Sequence, residues 1–219
     1  MLAIYYFNIK KINNSLTEEL YKRFYHDRSI SHKKIEIDLI RSMLGRAILH
    51  YALKSTFGKC FEKNISLSNM GKPHLIDGPH FNISHSGSFV LCAVSDFNVG
   101  IDIEKQTEYR DEFLSHFHEM EIKNIIDNLS NSRRINFYEL WVLKESYLKY
   151  LGTGLYKSLD SFYVAPLEKN QFQIFENDFN NPKCKLQLFT LDCEYSSAVC
   201  YETEKIDFII ECKVSNLIE

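Results

Sequence analysis

From residue 34 to 56 apolar positions recur three or four apart, at Ile37, Ile40, Leu44, Ile48 and Tyr51. That spacing predicts an amphipathic helix, with Gly58 as its stop. Ahead of it, residues 2–9 form an apolar run that predicts a strand, and 15–28, polar with scattered aromatics, a short helix. Gly71, Pro73, Gly78 and Pro79 mark loops. Two strands are predicted next, at 89–95 and 99–104, and Asp96, Phe97 and Asn98 between them suit a hairpin turn. Helices follow near 111–128 and 134–151, the second bounded by Ser132 in front and by Gly152, Thr153 and Gly154 behind. From 160 to 213 short apolar runs alternate with polar turns, at 162–164, 172–175, 186–190, 197–201 and 206–210. They predict a mostly antiparallel sheet. Strands, helix, strands, helices and strands in that order give an α+β class.

Composition narrows the function classes. A chain of 219 residues, 45% hydrophobic and 25% charged, has room for one large domain or two small ones sharing a core. A formal charge of −3 gives no global sign of nucleic-acid binding. No apolar run reaches the roughly 20 residues of a membrane span, and residues 1–9 lack the basic start of a signal peptide. Six cysteines, at 60, 92, 184, 193, 200 and 212, make neither a Cys-x-x-Cys pair nor zinc spacing. They read as small buried hydrophobes in a reducing setting. A soluble, cytoplasmic monomer is expected.

Four segments carry chemistry. In Val99 to Glu104, alternation sends Val99, Ile101 and Ile103 to one face and Gly100, Asp102 and Glu104 to the other. Two acids on one face repel unless something positive lies between them. A hard divalent cation does this; a solvated strand face is the plain alternative. In the helix at 134–151, Trp141, Glu145 and Lys149 share a face four residues apart, with Lys144 adjacent. A Glu-to-Lys pair at that spacing is also ordinary helix support. Phe81 to Gly87 places Ser84 and Ser86 around His85, which suits a phosphate cradle or a loop histidine bonded to backbone. Lys22, Arg23, Arg28, Lys33, Lys34, Arg41 and Lys72 form a basic set of the kind polyphosphates need, or a solvated face.

Together, Gly71-Lys72-Pro73, Phe81 to Gly87, the Gly-Ile-Asp-Ile-Glu strand ending at Glu104 and the helix from Trp141 to Lys149 resemble the 4′-phosphopantetheinyl transferases of the larger, Sfp type. The last two are the family signature, here with 36 residues between them. The resemblance implies two similar α+β halves in one chain, near 1–97 and 98–219, related by a pseudo-two-fold with the site between them. It implies transfer of the phosphopantetheine arm of coenzyme A to a serine of an acyl or peptidyl carrier protein, with release of adenosine 3′,5′-bisphosphate. It identifies Asp102, Glu104 and Glu145 with magnesium ligands, Lys149 with the lysine near the pyrophosphate, and Arg41, Lys72, Ser84 and His85 with coenzyme A contacts. Glu145 and Lys149 are then the catalytic pair. Upstream the text departs from the family: residues 23–26 are similar to it but far from Arg41, while Lys33 and Lys34 are better spaced but less alike. A coenzyme A-binding module without catalysis, or a magnesium-dependent pyrophosphate hydrolase, are the rival classes. For the carrier, residues 105–135 offer a docking candidate with Phe113, Phe117, Met120 and Ile122 beside Lys123, Arg133 and Arg134, apolar positions that a core helix explains equally well.

Overall fold

The computed structural model describes residues 1–24, 36–59, 65–107, 115–126, 136–176, 179–180 and 183–218. The first strand, β1 (Leu2–Asn8), is apolar on both faces because both are covered. Ala3, Tyr5 and Phe7 point into one cluster, Leu2 and Ile4 into another. After α1 (Asn14–Phe24) and α2 (Ile37–Phe57) comes a small hairpin, β2 (Ile65–Leu67) with β3 (Pro73–Leu75). Then follow β4 (His80–Ser86), β5 (Phe89–Ser95) and β6 (Val99–Lys105). Helices α3 (Glu119–Ile126) and α4 (Phe137–Leu151) precede β7 (Tyr163–Glu168), β8 (Gln171–Glu176), β9 (Phe179–Asn180), β10 (Lys185–Phe189), β11 (Tyr195–Tyr201), β12 (Phe208–Glu211) and α5 (Val214–Ile218).

Two main sheets result, ordered β12–β1–β5–β4 and β6–β11–β10–β8–β7, with β9 on β8. Helix α2 covers the first sheet from outside, packing Met43, Leu44, Ala47 and Ile48 against Ala3, Phe7, Val90, Cys92 and Val94. The inner faces of the sheets meet through Leu2, Ile4, Leu91 and Ala93 on one side and Val99, Ile101, Ile103 and Val199 on the other. Helix α4 covers the far face of the second sheet, packing Leu140, Leu143 and Leu148 against Leu186, Leu188, Ala198 and Cys200. The layers therefore run helix, sheet, sheet, helix, an α+β arrangement. Each fully buried Leu, Val or Ile contributes about 1.5–3 kcal/mol to holding them.

Several expectations need correction. Residues 96–98 do not close a hairpin. Strand β5 is buried throughout and has both edges taken, by β1 and β4. The chain therefore passes to the other sheet, where β6 pairs with β11. The C-terminal strand does not join the antiparallel sheet; β12 lies parallel to β1 in the first sheet, and α5 packs there through Leu217. The chain passes from the first sheet to the second between β5 and β6, and β12 returns to the first. Helix α3 begins at Glu119, and within 111–128 residues 111–114 and 127–128 lie outside the described set. Ser132 also lies outside it; the cap of α4 is Asn136, whose side chain accepts from Glu139 N while the Glu139 carboxylate accepts from Asn136 N. The hairpin β2–β3 escaped prediction because Ile65 and Leu67 alternate with little burial. Of the cysteines, 92, 184, 200 and 212 are buried as expected, Cys193 is exposed, and Cys60 lies outside the described residues.

Two contacts fix α4. The first is at Gly100, where an added Cβ would lie 2.1 Å from Ser146 O and 2.2 Å from Tyr150 N. Only glycine lets the helix backbone rest on β6. The second is Lys144, fully buried, whose ammonium donates to both Glu121 oxygens at 2.7 Å and to Phe162 O at 2.6 Å. Glu121 also accepts from Val164 N and His118 N. Burial pushes the Lys144 ammonium down to about 8, and burial also raises Glu121, against the pull of Lys144. The pair pins α3 and β7 to the helix that carries Glu145.

Gly100→Ala should destabilise the protein by about 1–3 kcal/mol or more, because helix backbone rather than a movable side chain must give way; urea unfolding reads this as a lower midpoint. Lys144→Met should cost about 3–5 kcal/mol by leaving Glu121 buried without its partner. Lys144→Met with Glu121→Gln should recover much of that loss in the same assay.

Candidate active site at the seam of the two sheets

The site lies where the edge strands β4 and β6 run side by side without backbone pairing. Side chains stitch them instead. Asn82 Oδ1 accepts from Ile101 N at 2.8 Å, Ser84 Oγ donates to Asp102 Oδ1 at 2.8 Å, and Ser86 Oγ donates to Glu104 Oε2 at 2.8 Å. Ser86 Oγ also accepts from Lys105 N. These three residues share one face of β4 by alternation. The opposite face carries Phe81 and Ile83 into the α2 core.

From α4, Lys149 reaches this seam. Its ammonium lies 2.5 Å from Asp102 Oδ1 and 3.0 Å from Ser84 Oγ. Asp102 is 2% exposed, which removes the solvated-face alternative for this strand. Its Oδ2 is buried with no hydrogen-bond partner among the described residues. An orphaned carboxylate oxygen in that position is costly unless something cationic meets it. Burial raises Glu104, and Asp102 raises it further, while Ser86 and Lys149 pull the other way. Burial raises Glu145, then Asp102 and Glu104 add to it while Lys149 opposes. The three carboxylates and Lys149 thus feel one another across the β6–α4 contact. As they stand, no three or more Asp, Glu, His or Cys among the described residues are grouped closely enough to hold a metal ion. Lys149 is the cation on Asp102 in this structure. The donor set still fits a hard divalent ion: all oxygen, mutually repelling, with Asp102 Oδ2 free to bind.

Arg41 and His85 flank this centre. Arg41 donates to Asp38 Oδ1 and to Gly87 O, each at 2.8 Å, and so caps the β4–β5 turn. Its Nε is buried without a hydrogen-bond partner among the described residues. His85 follows Phe81 and Ile83 on the α2-facing side of β4, at its open end, and is held below the usual imidazole range by partial burial, then by the nearby Arg41 charge. Lys72 is engaged elsewhere; its ammonium donates to Asn98 Oδ1, Val99 O and Tyr150 O. Lys22 and Arg23 lie in the last turn of α1, and Arg28, Lys33 and Lys34 fall outside the described residues. In the docking candidate, Phe117 is core at 3% exposure, packed beside Phe137 and Trp141. Ile122 is half-buried and Met120 exposed, while Phe113, Arg133, Arg134 and the Lys123 side chain lie outside the described set. Trp141 therefore serves that aromatic cluster.

Sequence reasoning missed Asn82 and Ser86 as anchors, Asn98 as a bridge and Glu121 as the partner of Lys144. The alternation Asn82, Ser84, Ser86 was a usable signal, since three polar side chains on one face of a buried strand require partners. Glu121 carried no signal, because its partner lies 23 residues away.

A profile of the 4′-phosphopantetheinyl transferase superfamily matches residues 98–201, the span from β6 through α4 to β11. The chain is 34% identical over 182 residues to the 4′-phosphopantetheinyl transferase Sfp of Bacillus subtilis (strain 168), covering 82% of this chain and 77% of that protein. It is 38% identical over 138 residues to the 4′-phosphopantetheinyl transferase gsp of Aneurinibacillus migulanus, covering 62% and 57%. It is 32% identical over 168 residues to the 4′-phosphopantetheinyl transferase psf-1 of Bacillus pumilus, covering 75% and 72%. With its signature strand and helix packed against each other at Gly100, the chain belongs to the 4′-phosphopantetheinyl transferase superfamily and is an enzyme of its Sfp type.

Proposed function

We propose that the enzyme takes the 4′-phosphopantetheine arm from coenzyme A, delivers it to a serine hydroxyl of an acyl or peptidyl carrier protein, and releases adenosine 3′,5′-bisphosphate. The observation that carries this reading is the Ser84–Asp102–Lys149 triangle, with a buried unpartnered Asp102 oxygen beside Glu104 and Glu145. Asp102, Glu104 and Glu145 would hold a magnesium ion. Such an ion supplies charge neutralisation at the pyrophosphate. In the reading, 1–97 and 98–219 act as two related halves, with β12 and α5 returned to the first.

The chain's own residues then divide the work. Glu145, whose proton affinity burial and its acidic neighbours raise, accepts the serine proton. The serine oxygen bonds to the phosphorus bearing the pantetheine arm. The bond from that phosphorus to the bridging oxygen breaks, and its electron pair leaves with adenosine 3′,5′-bisphosphate. Lys149 is placed to offset the charge gathering on that leaving group. Ser84 orients both Asp102 and Lys149. Arg41 and His85 provide the positive, hydrogen-bonding flank suited to the nucleotide phosphates. No described helix is long and apolar enough to cross a membrane.

Mass spectrometry of an apo carrier protein tests the reading through the mass of the added arm. Asp102→Ala should abolish transfer, and full activity of that variant would refute the cation assignment. Glu145→Gln should lower kcat by about 100-fold or more while coenzyme A affinity changes little. Chelation should stop the wild-type reaction and added Mg2+ should restore it.

A further inference from the structure

The Lys72 ammonium has three donors, and all three are used. They go to Asn98 Oδ1 at 2.9 Å, Val99 O at 3.0 Å and Tyr150 O at 3.0 Å. Asn98 closes the arrangement by donating from Nδ2 to Tyr150 O at 2.6 Å. Tyr150 is in the last turn of α4, whose terminal carbonyls lack helical partners and carry the negative end of the helix dipole. A lysine there satisfies both. The lysine stem lies over the helix stop: a Cβ on Gly152, itself at φ 75°, would be 3.1 Å from Lys72 Cδ. The turn that presents Lys72 is itself braced, with Lys72 N donating to Ser68 Oγ and Ser68 N to Lys72 O.

We propose that Lys72 is a positioning residue for transfer: its ammonium clasps the start of β6 to the last turn of α4 and does not bind the anionic donor. Val99 lies three residues before Asp102 on β6, and Tyr150 follows Lys149 on α4. The clasp thus sets the spacing between the two elements whose side chains meet at 2.5 Å in the Lys149–Asp102 pair. Gly100 lets the elements approach, and Lys72 with Asn98 holds them in register. The inference rests on the β6–α4 seam being the transfer site.

Steady-state transfer to an apo carrier, with coenzyme A varied, tests this on Lys72→Met, which keeps the stem and removes the donors. The expected result is a kcat lower by about 10- to 100-fold, the scale of a small misplacement of reacting groups, with KM for coenzyme A within about twofold. Amide exchange in a peptide spanning 146–152 should quicken. Asn98→Ala should shift kcat and exchange in the same direction, which keeps the test open should the lysine variant fold poorly. A rise of about tenfold or more in KM, whatever kcat does, would assign Lys72 to the donor and overturn the clasp. An unchanged kcat, with or without a lower melting temperature, would overturn it as well. A wild type inactive on every carrier would instead sink the transfer reading, and the exchange rates with coenzyme A affinity by calorimetry would still decide the clasp.

Discussion

Backbone contact between α4 and β6 at Gly100 is the constraint on which the rest depends. A side chain there would stand inside the helix backbone. Its absence lets two otherwise separate elements bring Asp102 and Lys149 to 2.5 Å. Around this contact the structure places fastenings on three sides. Lys144 ties the helix to α3 and β7, Lys72 and Asn98 tie its end to β6, and the serines of β4 tie the acids to the first sheet. Lys72 and Asn98 act directly on the distance between strand and helix, while the other two hold each of those elements in place.

Charge is the second organising term. Three carboxylates share a half-buried seam, and burial with mutual repulsion raises Glu104 and Glu145. Lys149 offsets part of this at both glutamates, and the Ser86 hydrogen bond offsets part of it at Glu104. One Asp102 oxygen is left without a hydrogen-bond partner among the described residues. Such an imbalance is expected of a site whose full complement includes a cation and a polyanionic donor, since groups arranged for a bound state are imperfectly satisfied without it.

How far the sequence disclosed this depends on the length scale of each determinant. Local ones were legible: the 3.6-residue period of α2, the alternation of β6, the glycine after α4. Candidate site residues on β6 and α4 could be named because each segment carries its acids or its lysine within a few residues. Partnerships between distant segments could not. Nothing near residues 89–104 indicates that β5 would find β1 on one edge and β4 on the other, so a plausible hairpin became a crossing between sheets. Strand β12 joined β1 across some two hundred residues for the same reason. Lysines were the least legible, because charge alone does not distinguish a ligand contact from a buried anchor. Lys144 lies at 0% exposure on Glu121, and Lys72 has spent its donors on backbone and Asn98.

In the proposed reaction, Asp102, Glu104 and Glu145 complete one cation site when the donor is bound. A crystal grown with Mn2+ and coenzyme A, measured at the manganese edge, tests this directly. The predicted result is one anomalous peak bonded to Asp102 through its Oδ2 and to both glutamates, with Lys149 turned toward the pyrophosphate. Bound coenzyme A with no peak at these carboxylates, and Lys149 still on Asp102, would contradict it.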